Sequence, residues 1–135
     1  MIMEDIAQNQ GDTYLLGSAK VFYKFMKDEP WGQRYNKKRR LKNLGQDYMI
    51  TDWAEKTIKS FYEESGIFLK RRFLPPDFKL NGGFAIYGDK IAIGVFTDEV
   101  NVLVIKEPTL TQLFTYLFQL LWKDLEGKNI PAPIQ

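Results

Sequence analysis

The chain has 135 residues, 44% of them hydrophobic and 15% aromatic, enough apolar side chain to close one core and too little length for two. It holds no histidine and no cysteine, which excludes disulfides, thiolate chemistry, Cys/His zinc sites and any mechanism that needs an imidazole. The formal net charge is only +2, so positive charge is local and the global field of a dedicated nucleic-acid binder is absent.

The opening "MIMEDIAQNQGD" is acidic where a signal peptide is basic and lacks its apolar segment, and no apolar run approaches ~20 residues. The expectation is a cytoplasmic protein without membrane contact. One domain over 1–127 and a short proline-containing tail over 128–135 account for the whole length, with no repeat or linker.

In chain order, "TYLLG" at 13–17 is suited to a buried strand, and Ser18 follows as a plausible N-cap for a helix carrying Val21, Phe22, Phe25 and Met26 until Pro30. A second helix over about 31–44 ends where Gly45 can act as a C′ glycine, and "DYMI" then reads as a strand. Asp52 with Glu55 resembles a capping box for a third helix, on which Ala54, Ile58, Phe61 and Tyr62 share a face until Gly66. The strand "IFLKRRFL" follows, then "PPD".

From Phe84 the pattern becomes three strands in quick succession. "FAIY" is joined by a Gly88-Asp89 turn to "KIAIGVF", and a turn near Asp98 and Glu99 leads to "VNVLVI", an antiparallel meander. Thr109 and Gln112 form a capping box after Pro108 for a last helix that Gly127 can end. Alternating strands and helices followed by a meander predict an α/β fold with a mixed sheet, parallel in its first half and antiparallel in its second, with packed helices.

Around the last helix the apolar residues span roughly 200°, about twice the stripe that one-sided packing needs. A second surface should cover the flank containing Phe118 and Trp122, either the first helix or another subunit, and Phe114, Phe118 and Trp122 are the dimer-interface candidates.

The run "RYNKKRRLKNLG" sets Arg34, Lys37, Lys38, Arg39 and Arg40 on the second helix with no acid among them, and Lys70, Arg71 and Arg72 form a second cluster at a strand end. The first run wraps its helix instead of lining one face. It suits a solvated helix whose long stems cover apolar neighbours, or, where the two clusters meet, a site for an anion or the nucleic-acid backbone.

The acids Asp47, Asp52, Asp89, Asp98 and Glu99 all stand near turns or helix starts, where capping explains them without catalysis. "NGG" at 81–83 is a turn signal and not a phosphate loop. No nucleophile beside a base, metal-ligand cluster or cofactor fingerprint is present, so the expectation is no enzyme, no catalytic residue, no metal and no cofactor.

In their order, "RYNKKR" on a helix, "KRRFLPPDF" before a break, the hairpin "FAIYGDKIAIGVF", the strand "VLVI" and the helix "LFTYLFQLLW" resemble the C-terminal region of TrmB-type transcriptional regulators. The resemblance runs from about Leu15 to Trp122. It implies a non-catalytic domain similar to the phospholipase D/nuclease fold, used for effector sensing and dimerisation behind an N-terminal winged helix-turn-helix that binds DNA. That DNA-binding domain does not lie in this chain, and neither does the additional C-terminal β domain of the larger sugar-binding members, so no sugar-binding residue is carried over.

The catalytic motif of phospholipase D needs a histidine followed two residues later by lysine, which this composition excludes. The implied partners are a second copy of the chain, a small-molecule or anionic effector, and DNA only through the missing domain. The alternative is a small stand-alone nucleic-acid-binding protein using the two basic clusters.

Overall fold

The structure, a computed structural model, describes residues 10–20, 45–52, 69–96 and 99–127. Six strands form one sheet: β1 (Thr13–Gly17), β2 (Asp47–Thr51), β3 (Leu69–Phe73), β4 (Gly82–Tyr87), β5 (Lys90–Phe96) and β6 (Val100–Lys106). A helix, α1 (Pro108–Asp124), follows the last strand. The helices expected over 31–44 and 53–66, and all but the start of the one after Ser18, lie outside the described residues; Ala19 and Lys20 are helical.

The strand order is β3-β2-β1-β4-β5-β6. β1 pairs in parallel with β2, and β2 with β3. β4 runs antiparallel to β1, β5 to β4 and β6 to β5. The protein is therefore α/β with a mixed sheet, its parallel half ending at β1 and its meander beginning at β4.

Turn chemistry fixes the meander. Tyr87 is opposite Lys90, so Gly88 and Asp89 form a two-residue hairpin loop, and Gly88 takes the positive φ of +60° that such loops require. "NGG" has a different role from the expected turn, because Gly82 and Gly83 are already the first residues of β4. A Cβ on Gly83 would lie 2.0 Å from the Leu16 carbonyl oxygen, so glycine is what allows β4 to close on β1.

The cap of α1 also differs from expectation. Glu107 is the N-cap, its Oε2 accepting from the Leu110 N–H at 2.6 Å, ahead of Pro108 in the first turn. Proline's fixed φ and missing N–H suit the first helical position, which puts the cap before Pro108 and frees Thr109 from that role. Thr111 Oγ1 instead donates around the turn, to the Glu107 and Asp89 carbonyls. The helix stops at Asp124, ahead of Gly127, whose φ of +68° shapes the chain after the Leu125 cap.

Phe114, Phe118 and Trp122, spaced four apart, form one ridge of α1. Phe118 is 2% exposed and its ring lies 5.2 Å from Tyr14 and 6.0 Å from Trp122. Trp122 meets Tyr48 edge-on at 5.3 Å, and Phe114 meets Phe84 in the same way at 5.5 Å. Tyr14 and Tyr48 are register partners on adjacent parallel strands and stack at 5.5 Å, which completes an aromatic layer between helix and sheet.

Of the dimer-interface candidates, Phe118 is buried and Phe114 and Trp122 are half-buried within this layer. The ridge packs on the sheet of its own chain because β1, β2 and β4 each present an aromatic residue beneath it. The expected contact with the first helix lies outside the described residues.

Candidate functional site

The described residues offer three places where chemistry could reside. The first is β3, whose Lys70, Arg71 and Arg72 alternate across an edge strand of the sheet. Arg72 lies over the Trp122 ring at 4.2 Å, and its Nη1 donates to the Trp122 carbonyl oxygen. That carbonyl is in the last turn of α1, where backbone oxygens lack helical partners and the dipole favours a cation. Arg72 thus ends the helix from a neighbouring strand.

Lys70 leans over Tyr48 at 5.8 Å, and Arg71, on the opposite face, lies over Phe73 at 5.0 Å. Each of the three cations therefore stacks on an aromatic ring. Arg34, Lys37, Lys38, Arg39 and Arg40 lie outside the described residues.

The second place is the carboxyl end of the parallel strands. Asp52 directly follows β2, is 9% exposed, and uses both oxygens: Oδ1 accepts from Ala19 N at 2.9 Å and Oδ2 from Leu80 N at 3.0 Å. It joins the first turn after β1 to the segment leading into β4. The capping-box reading paired it with Glu55, which lies outside the described residues; the bonds in hand go to two segments distant in sequence. At the other end of β2, Asp47 is buried and accepts from the hydroxyl of Thr13, its register partner on β1. Asp47 fastens two strands together, and Asp52 two connecting segments.

The third place is the outer surface of α1 and the adjoining sheet edge. Leu113, Tyr116, Leu117 and Leu120 are exposed on the side of α1 turned away from Phe118. A groove of about 590 Å³ runs along the start of this surface, lined by Glu107, Thr109, Leu110, Gln112, Leu113 and Tyr116. Its one charged side chain is the capping carboxylate of Glu107, the wrong sign for an anion.

Of the remaining acids, Asp89 reaches Lys106 at 3.8 Å across a solvated pair, Glu99 is exposed, and Asp98 lies outside the described residues. Among the described residues no three His, Cys, Asp or Glu side chains gather as a metal site. Among the same residues no helix is long and apolar enough to cross a membrane.

The sequence reading missed two features. Asp52 as a tie between segments gives no local signal, since both partners are more than two dozen positions away. The cap supplied by Arg72 comes from 50 positions before Trp122 and is equally silent. No protein-family model matches the chain, and no curated protein matches it.

Proposed function

We propose that this chain is a non-catalytic effector-sensing and dimerisation domain of a TrmB-like transcriptional regulator, similar in fold to the phospholipase D/nuclease group. One observation carries the reading: the outer face of α1 presents Leu113, Tyr116, Leu117 and Leu120 to solvent on a helix whose inner face is already filled by the aromatic layer. Exposed apolar side chains gathered on one helix face mark an association surface.

The chemistry of the described acids agrees with a scaffold. Asp47 and Asp52 are spent on strand and loop bonds, and the chain has no histidine for a phospholipase D-type nucleophile. Effector binding would act by favouring one of two subunit arrangements, and operator DNA would be reached through the winged helix-turn-helix of such regulators.

Light scattering over a range of protein concentration tests the proposal. A dimer that dissociates on dilution, at unchanged far-UV circular dichroism, is the expected result. A chain that stays monomeric at high concentration refutes it.

A further inference from the structure

The two edges of the sheet are unlike. β3, at one edge, has five residues and carries Lys70, Arg71 and Arg72 in succession. Charged side chains on a short strand are a standard protection against pairing with another chain. β6, at the other edge, has seven residues, and Lys106 at its very end is its one charge.

Two further protections are absent from β6 itself. It contains no proline, and its register with β5 runs one-to-one from Val100 to Lys106 without a bulge. Val102, Leu103 and Val104 are 43%, 61% and 41% exposed, so apolar side chains stand open on both faces of the strand. On the Leu103 face the neighbouring Val95 of β5 is exposed as well. Among the described residues nothing pairs with the outer edge of β6, whose alternate backbone N–H and C=O groups have no strand partner there.

Building on the dimerisation reading above, we infer that β6 is the subunit interface: two copies pair their β6 strands antiparallel about a two-fold axis through Leu103, joining two six-stranded sheets into one.

The strand itself identifies the occupant as a second copy. A two-fold axis normal to the sheet keeps α1 on the same face in both subunits and lets one edge satisfy itself. Such an axis pairs residues of the same face. Centred on Leu103 it uses the whole strand, with Leu103 opposite its own counterpart, Val102 opposite Val104, Asn101 opposite Ile105 and Val100 opposite Lys106. Centring on Val102 or Val104 leaves two residues of each strand unpaired.

Charge agrees with this register. The two Lys106 side chains fall at opposite ends of the seam, each beside the Asp89 of its own subunit, so no like charges meet along the strand. A formal net charge of +2 adds little repulsion between copies.

The natural absence of cysteine makes the test direct. Antiparallel partners have Cα atoms about 4.5–5.5 Å apart, within the range a disulfide spans. Under mild oxidation, the chain carrying Leu103→Cys should cross-link to itself, while Val102→Cys and Val104→Cys alone should not, and an equimolar mixture of those two should give the mixed dimer. Leu103→Lys, which places two ammonium groups at the axis, should raise the dissociation constant by roughly tenfold or more with the circular dichroism unchanged.

Self-linking of Val102→Cys or Val104→Cys in place of Leu103→Cys overturns the inference, and so does a light-scattering dimer that none of these variants cross-links or weakens. In the second case the dimerisation reading stands and the interface lies elsewhere. A wild-type monomer at every concentration refutes both.

Discussion

Truncating Phe118 to alanine separates a core role from an interface role. The side chain is 2% exposed and its ring contacts Tyr14 from β1 and Trp122 one helical turn on, so removal empties the middle of the helix–sheet layer. Phe→Ala at such sites costs about 3–5 kcal/mol, a large share of the ~5–15 kcal/mol that holds a domain together. With a urea m-value of about 2 kcal/mol/M for a small domain, a loss of about 4 kcal/mol lowers the midpoint by roughly 2 M. Urea titration followed by tryptophan fluorescence reads the change, and Leu120→Ala, on the exposed face of the same helix, serves as the control with under about 0.5 kcal/mol. A midpoint within about 0.5 M of wild type for Phe118→Ala would refute the placement of this residue in the core.

Asp52→Asn keeps one carbonyl oxygen but turns an amide toward one of two backbone donors. We expect a loss of about 1–3 kcal/mol in the same titration, with faster hydrogen exchange at the Ala19 or Leu80 amide. Gly83→Ala drives a methyl group into the Leu16 carbonyl and should destabilise by about 3 kcal/mol or more, visible as a clear drop in melting temperature. An unchanged melt would mean that β4 does not close on β1 as described.

All six strands were legible, each within two residues of its ends, because five of them are short apolar runs set off by turn residues and the sixth, β3, continues the apolar start of "IFLKRRFL". β4 was read two residues short because Gly82 and Gly83 also form a turn signal; the reason for glycine there, a carbonyl on another strand, is invisible along the chain. The last helix was legible as an element, and so was its excess of apolar surface. Which side of that surface faces the sheet was not, since the answer depends on Tyr14, Tyr48 and Phe84 meeting beneath it from three strands.

The β3 cations follow the same logic. Three consecutive basic residues read as an anion site when seen in line, and the fold sets them along a sheet edge over aromatic rings, with one ending a helix.

The contrast between the two edges also bears on valence. A sheet that accepts neighbours on both sides grows without limit, as fibrils do, whereas a unit with one receptive side is spent after a single union. Lys70, Arg71 and Arg72 then act as the terminator. Replacing them with β-formers would give the molecule a second bonding side, and the dimer proposed above would give way to polymer.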